Sequence, residues 1–188
     1  MLRVIERFLL NISNIKYFLL ILMANGVQAY FLFSQWGNRF YQITGEKVYD
    51  LQPFLTPDVL YQQLSKYTDE AIAVYWKFVA LDYLFPVTGA LANVVLLGMI
   101  LRRCNSSLAG TLLKTGLWLV PLGIIPFDWL ENTGFIFLIR SFPDTLLWLA
   151  RITCWSKYCK MFFVLSLNIV VVVGVATYLW EKLFSKKA

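Results

Sequence analysis

Residues 112–139 read LLKTGLWLVPLGIIPFDWLENTGFIFLI, an apolar run of membrane-spanning length that also contains Asp128, Glu131 and Asn132. An ionisable group in hydrocarbon costs roughly 2.5 kcal/mol or more unless it faces other protein groups and finds a partner there. The stretch therefore predicts a transmembrane helix whose polar face turns towards neighbouring helices, and it makes this helix the centre of any functional site.

The composition of the whole chain agrees with a membrane protein. Hydrophobic residues make up 59% and charged residues 15% of the 188 residues, and the mean hydropathy is +0.63. Lys and Arg (17) outnumber Asp and Glu (11), but most basic residues flank apolar runs, where they report topology and contact with lipid headgroups. No nucleic-acid recognition motif accompanies this charge, so we expect no nucleic-acid partner.

Four apolar runs are long enough to span a bilayer, since each has about 20 residues at ~1.5 Å rise per residue. They comprise residues 17–33, 75–101, 112–139 and 161–180, and the segment 34–74 is the only sizeable extramembrane element. We predict an all-α fold in which residues 1–188 form a single membrane domain, a four-transmembrane-helix bundle with a short helical cap in the first loop. Arg3 and Arg7 before the first run resemble the start of a signal peptide, but we expect this run to be retained.

The distribution of basic residues predicts the topology. With four spans, both termini and residues 102–114 share one side of the membrane. That side holds a dense set of basic residues: Arg3, Arg7, Lys16, Arg102, Arg103, Lys114, Lys182, Lys186 and Lys187. The positive-inside rule therefore favours an integral membrane protein with both termini in the cytoplasm or matrix, without specifying which membrane.

The loop between the first two spans carries two helix-start signals. Thr56-Pro57-Asp58 combines an N-cap, a first-turn proline and an acidic residue at the positive end of a helix, which predicts a short amphipathic helix to about Lys66. Thr68-Asp69-Glu70 repeats the signal and predicts a helix that runs into the second span. The loop is interpreted either as a lid over the helix ends or as a docking surface for another subunit.

Polar residues recur at helical spacing on the second and third spans. The stripe on the second span consists of Asp82, Pro86, Gly89 and Asn93, and that on the third consists of Pro121, Asp128, Glu131, Asn132 and Phe135. Proline removes a backbone hydrogen bond within a helix, so we expect both helices to bend near their acids.

The candidate site combines Asp82, Asp128, Glu131, Asn132 and Lys160, which we expect to form one buried polar network or ligand-binding site. We predict that Asp82, Glu131 and Lys160 converge, with Asp128 and Asn132 in a second tier around them. Such a network can fix the packing of the helices, bind a lipid, amine or cation, or carry a proton or catalytic role.

Several kinds of chemistry are missing from the sequence. The chain has no His, which excludes imidazole acid–base catalysis and His-ligated zinc or haem, and we predict no catalytic residue, no metal site and no cofactor. Cys104 belongs to the opposite side from Cys154 and Cys159. The latter two form either a disulfide, if their segment is a loop, or two buried or interfacial thiols.

A series of short motifs resembles a widespread group of small four-helix membrane proteins without an assigned activity. The motifs are Val48-Tyr-Asp50-Leu-Gln, Thr56-Pro57-Asp58, Tyr61-x-x-Leu64, Tyr75, Leu81-Asp82-x-x-Phe85-Pro86, Phe127-Asp128-x-x-Glu131-Asn132 and Lys160. This resemblance implies the four-helix fold and the importance of the membrane acids. The layout is also similar to the EXPERA group, whose four helices surround a lipid or amine pocket, but the missing His argues against sterol isomerase activity.

Two classes of function fit these observations. The first is a non-catalytic accessory or assembly subunit of a larger membrane protein complex, respiratory or otherwise energy-transducing, with membrane lipids and other membrane subunits as partners. The second is a lipid- or sterol-pocket membrane protein or enzyme that uses its intramembrane carboxylates to bind a cation or a cationic intermediate. A cavity reaching the acids favours the second class, and a filled polar core favours the first.

Overall fold

The computed structural model describes residues 2–184, which are helical apart from short connections. The α-helices are α1 (Leu2–Ile12), α2 (Ile15–Ala29), α3 (Asn38–Thr44), α4 (Pro57–Leu64), α5 (Asp69–Asp82), α6 (Phe85–Leu101), α7 (Ser107–Thr115), α8 (Ile124–Ser141) and α9 (Leu147–Phe184). A π-helical segment joins α2 to α3, and two 3₁₀ segments occur at Tyr49–Leu51 and Leu117–Gly123.

Four helical stretches of the described chain are long and apolar enough to cross a membrane: Ile15–Thr44, Asp69–Leu101, Leu117–Ser141 and Leu147–Phe184. The predicted fold class, an all-α four-transmembrane-helix bundle with a helical cap in the first loop, is confirmed. The protein is thus an integral membrane protein. Lys186 and Lys187, which contributed to the predicted topology, lie outside the described residues.

The first spanning stretch continues beyond the apolar run at 17–33. It passes through the π-helical segment Tyr30–Gly37 into α3, so residues 34–44, predicted as loop, are helical. It ends where Gly45 adopts a left-handed conformation with φ of 73°, which a residue with a side chain rarely adopts. The apolar run alone underestimates the length of this helix, because Asn38, Arg39 and Gln42 interrupt the hydrophobic sequence.

The last helix begins earlier than the apolar run at 161–180. α9 starts at Leu147, so residues 147–160 are helical although their charged and aromatic residues indicate an interfacial loop. Cys154 is buried and Cys159 is partly buried, and both are free thiols, as is Cys104. The two thiols of α9 lie on one continuous helix, five residues apart.

The second span is interrupted beside its acid, as its proline predicts. α5 ends at Asp82 and α6 begins at Phe85, and side chains satisfy carbonyl groups at the break. The indole of Trp129 donates to the carbonyl of Tyr83 at 2.8 Å, and the amide of Asn25 donates to the carbonyl of Phe85 at 3.2 Å. In the third span the irregular turn is the 3₁₀ segment Leu117–Gly123, and α8 continues regularly through its acids.

Both helix starts predicted in the first loop are present. The hydroxyl of Thr56 accepts from the amide of Val59 at 3.4 Å, and the hydroxyl of Thr68 accepts from the amide of Ala71 at 3.2 Å. α4 buries Leu60 and part of its polar face, and α5 begins with two acidic residues in its first turn. The cap helix is therefore held by an N-terminal hydrogen bond and by burial of its apolar side.

The chain forms two compact units. The first contains the chain up to Ala24, Val87–Ile124 and the chain from Phe162 onward. Its core is built around Trp118, which is fully buried with Val94 and Leu97. The carboxylate of Glu181 accepts from the backbone amides of Asn105 and Ser106 at 2.8 and 2.7 Å, and so caps the start of α7.

The second unit contains Asn25–Pro86 and Ile125–Met161, and it holds every residue of the predicted site. Its core is rich in aromatic rings, and Tyr49 stacks with Tyr67 and packs against Phe135 at centroid distances of 5.5 and 5.0 Å. Phe40 and Tyr75 complete this cluster. The first loop thereby contributes directly to the core in which the acids lie.

Candidate functional site: a buried ion-pair network

The acids of α8 meet two lysines of α9. The Oε1 atom of Glu131 accepts from Nζ of Lys157 at 2.7 Å, and its Oε2 atom lies 2.8 Å from Nζ of Lys160. The second contact is an ion pair without hydrogen-bond alignment. Glu131 is fully buried and Lys157 is 1% exposed, so both charges are held away from solvent. The two ammonium groups compensate the charge of the buried carboxylate, whereas a lone acid in a membrane would lack such partners.

Lys160 is the hub of the network. Besides Glu131, its ammonium group donates to Oδ1 of Asp128 at 3.1 Å and also donates to Oδ1 of Asp50. Three carboxylates therefore surround one nitrogen, two of them as hydrogen-bond acceptors and the third, that of Glu131, as an ion pair. Asp50 comes from the 3₁₀ segment of the first loop, so the loop closes the network at this point.

Asn132 joins the remaining acid to the network. Its Nδ2 atom donates to Oδ2 of Asp82 at 2.9 Å and to Oδ2 of Asp128 at 3.1 Å. Because one amide has two N–H donors, it can bridge two carboxyl groups that would otherwise repel each other. Asp82 and Asn132 are both almost fully buried.

The structure thus brings all five predicted site residues together, with a different order of contacts. Asp128 was placed in a second tier, but it contacts Lys160 directly, whereas Asp82 reaches Asp128 through Asn132. The functional importance of the five residues remains a prediction.

Two members of the network, Asp50 and Lys157, were missed. Asp50 occurs only within a motif of the resemblance, and Lys157 lies between the apolar runs at 112–139 and 161–180. A usable signal existed, because Asp128 and Glu131 are three residues apart and so are Lys157 and Lys160. Residues three apart lie on one face of a helix, so this spacing lets two facing helices form two pairs of opposite charge. The spacing becomes informative only where residues 147–160 are helical, as they are in α9.

Lys157 also connects the first loop to α9 through hydrogen bonds. Its ammonium group donates to the backbone carbonyls of Tyr49 and Asp50 at 3.0 and 2.8 Å, in addition to Glu131. The hydroxyl of Tyr49 donates to the carbonyl of Leu60 at 3.0 Å, which ties the same turn to the cap helix. Burial raises the pKa of Tyr49 above its ordinary value, and the neighbouring Tyr67 raises it further. This phenol therefore stays protonated and can donate the hydrogen bond.

The charge balance of the network is acidic. Four carboxyl groups, those of Asp50, Asp82, Asp128 and Glu131, share two ammonium groups. Burial alone would raise the pKa of Asp50, but the ammonium groups of Lys160 and Lys157 and the hydrogen bond from Lys160 outweigh it and hold that pKa below its ordinary value of 3.8. Asp50 is therefore ionised at neutral pH and stabilises the two lysines.

Three of the carboxyl groups are close enough to share a small cation. Asp50, Asp82 and Asp128 each offer an oxygen within 4.8 Å of the other two, the kind of ligand that hard cations prefer. Lys160 already lies against Asp50 and Asp128, however. A metal ion would have to share these two oxygens with an ammonium group, so the arrangement fits an internal ion-pair network better than a metal centre.

No protein-family model matches the sequence, and comparison with curated proteins and with solved structures also gave no match.

Proposed function

We propose that this protein is a non-catalytic accessory or assembly subunit of a larger membrane protein complex. The main support for the proposal is that the polar core is filled. The ammonium groups of Lys157 and Lys160 occupy the space between the carboxylates. A substrate pocket needs an accessible reactive group, but Glu131 is fully buried and Asp82 is 2% exposed. The network then serves to hold the loop and the helices in one fixed arrangement.

An apolar side chain on the extramembrane loop supports docking of another subunit. Phe54 is 82% exposed and precedes the cap helix, outside the four spanning stretches. Val59 on the cap helix is also exposed. A contiguous apolar patch outside the hydrocarbon region is typical of a site that contacts a protein partner or the membrane interface, and we propose that Phe54 and Val59 belong to such a patch. The ion-pair network fixes the loop that carries Phe54, so the loop presents this ring on a rigid support.

The proposal is tested by purifying the tagged protein from its native membranes in a mild detergent and identifying bound subunits and lipids by mass spectrometry. We expect other membrane proteins in constant ratio to the tagged chain. Phe54→Ser should reduce this recovery, while the matched control Gln62→Ser, an exposed residue of the same loop, should not. Recovery of lipids alone, or equal recovery with both variants, would contradict the proposal.

A cation- or amine-binding protein of the second class is the other candidate, favoured by the excess of two carboxyl groups over ammonium groups in the network. It predicts that Na⁺, Ca²⁺ or a hydrophobic amine raises the midpoint of thermal unfolding, and that Asp82→Asn removes the rise. Under the assembly proposal these additions leave the unfolding midpoint unchanged.

We further propose that both termini and the connection at residues 102–114, which includes most of α7, lie in the cytoplasm or matrix. The basic residues of that side support this orientation. Single cysteines at Lys182 and Lys47, in a chain whose native cysteines are replaced, should react with a membrane-impermeant maleimide from opposite sides. Labelling of both from the same side would contradict the proposed topology.

A further inference from the structure

The N-terminal helix α1 is amphipathic, but only part of its apolar face packs against the protein. At helical spacing this face comprises Val4, Ile5, Phe8, Leu9 and Ile12. Leu9 is 3% exposed and belongs to the core around Trp118. Val4 and Phe8, by contrast, are 70% and 60% exposed. The outer part of the apolar face is therefore not covered by the part of the chain that the structure describes.

The contacts of α1 place it at the ends of two spanning stretches. The guanidinium of Arg102, the residue that follows the second stretch, donates to the carbonyl of Leu10 at 2.8 Å. Leu9 shares its core with Ala109 and Leu112 of α7, the helix between the second and third stretches. α1 therefore packs at the membrane boundary, where the chain leaves one span before it enters the next.

The charged residues of α1 indicate how the helix lies at this boundary. Glu6, Arg7 and Asn11 occupy the side of the helix opposite the apolar face. If α1 entered the bilayer beside the third span, Glu6 and Arg7 would lie in hydrocarbon, which is unfavourable for ionisable groups without partners. A helix in the membrane plane keeps these groups among the lipid headgroups and turns Val4 and Phe8 towards the acyl chains.

A tight turn joins α1 to the first spanning stretch. The side-chain oxygen of Asn14 accepts from the amides of Lys16 and Tyr17 at 3.1 and 3.2 Å, so a new helix starts here. Ser13 packs closely against α6, since a Cβ atom added to Gly98 would lie 2.3 Å from Oγ of Ser13. None of the residues of α2 is buried, so the exposed face of α1 is followed directly by a helix with a lipid-exposed surface.

We propose that α1 lies in the plane of the membrane interface and that its partner is an anionic lipid surface. Val4 and Phe8 then reach the acyl chains, and the exposed basic residues at the same end of the unit attract anionic headgroups. These basic residues are Arg7, Lys16 and Arg103. The surface belongs to the first unit, so the proposal is separate from the assembly function, which rests on the ion-pair network and Phe54 in the second unit.

The test measures the depth of α1 in the full-length protein, reconstituted in liposomes of phosphatidylcholine and phosphatidylglycerol. A nitroxide label is attached to Val4→Cys, Phe8→Cys or the matched control Arg7→Cys, in a chain whose native cysteines are replaced by Ala. Power-saturation electron paramagnetic resonance compares the access of oxygen and of a water-soluble nickel complex to each label. We expect the first two labels at one depth, roughly 5–10 Å into the headgroup and acyl boundary, and the third exposed to the nickel complex.

Three results would overturn the proposal. The first is equal access of the nickel complex to Phe8→Cys and Arg7→Cys, because the apolar face would then lie in water. The second is a label on Val4→Cys about 6 Å deeper than that on Phe8→Cys, the rise of four helical residues, because α1 would then enter the bilayer. The third is poor access of both reagents to Phe8→Cys, because a second copy of the chain would then cover this face.

The double variant Arg7→Gln/Arg103→Gln tests the headgroup preference. It changes only exposed side chains, and thermal unfolding checks that the fold is intact. Measured with spin-labelled lipids, the wild type should prefer phosphatidylglycerol over phosphatidylcholine, and the variant should lose at least about half of this preference. The matched control Lys47→Gln/Lys66→Gln, two exposed residues of the second unit, should keep it. An unchanged preference in Arg7→Gln/Arg103→Gln would overturn the proposed anionic partner.

Discussion

Lys157→Met is the substitution that tests the role of the network most directly. The side chain is 1% exposed, and its ammonium group makes three contacts of 2.7 to 3.0 Å, to Glu131 and to the carbonyls of Tyr49 and Asp50. Breaking a buried ion pair on one side costs about 3–5 kcal/mol, and a buried carbonyl left without a donor costs about 1–3 kcal/mol. Glu131 keeps Lys160 as a partner, which reduces the first cost.

We therefore expect Lys157→Met to lower the free energy of unfolding by about 3–5 kcal/mol. The measurement is reversible unfolding in mixed dodecyl maltoside and SDS micelles, followed by far-UV circular dichroism and tryptophan fluorescence. Lys77→Met, at an exposed position of α5, is the matched control and should change little. A loss below about 1 kcal/mol, within the range of an exposed ion pair, would refute the claim that Lys157 holds the core together.

A double-mutant cycle adds a second criterion. In Lys157→Met/Glu131→Leu the carboxylate that lost its partner is also removed, so the double variant should be more stable than the sum of the single losses predicts, by about 0.5–3 kcal/mol. Additive losses would mean that the two residues contribute independently, contrary to their 2.7 Å contact.

Three further predictions concern the acids and the cap. Glu131→Gln should destabilise the fold less than Glu131→Leu, because the amide oxygen can still accept from Lys157, whereas the alkyl side chain leaves both lysines without this partner. Unfolding in the same micelles compares the two variants, and equal losses of unfolding free energy would contradict this prediction. The pKa of Asp50 is lowered in the folded protein, so the unfolded chain binds this proton more readily. The stability that Asp50 contributes is therefore present above pH 3.8 and is lost as the pH falls below that value. Asp50→Asn should flatten this part of the plot of stability against pH, and an unchanged plot would count against the ion pair. Thr56→Ala should destabilise α4 by about 1 kcal/mol, seen as faster amide exchange in residues 57–64 but not in α7, whose cap is Ser106.

Local signals made much of the fold predictable. Thr56 and Thr68 are N-caps whose hydroxyls accept amide hydrogen bonds in the structure, and Pro57 fits only at a helix start. The convergence of Glu131 and Lys160 could be anticipated because charged groups in apolar helices must find partners. These inferences needed only the spacing of residues along the chain.

The parts that escaped prediction depend on tertiary context. The π-helical segment Tyr30–Gly37 has no compositional signature that separates it from an ordinary apolar helix. The start of α9 cannot be predicted from the sequence, because Trp148, Arg151 and Lys157 are typical of an interfacial loop. In the structure this segment is helical and Lys157 is buried beneath the first loop. Asp50 could not be placed from local pattern, since its partners come from residues more than 100 positions later in the chain.

The contact between Lys157 and the carbonyls of Tyr49 and Asp50 has a consequence for biosynthesis. These groups are separated by 108 and 107 residues, so the first loop cannot make these two contacts until the ribosome has made the start of the last helix. Until then Glu131 also lacks the ammonium groups of Lys157 and Lys160. The nascent chain thus passes through a stage with an uncompensated acid in its third span. A chain that stops before Lys157 should retain a protease-sensitive loop at residues 45–56, which limited proteolysis of the truncated chain would detect.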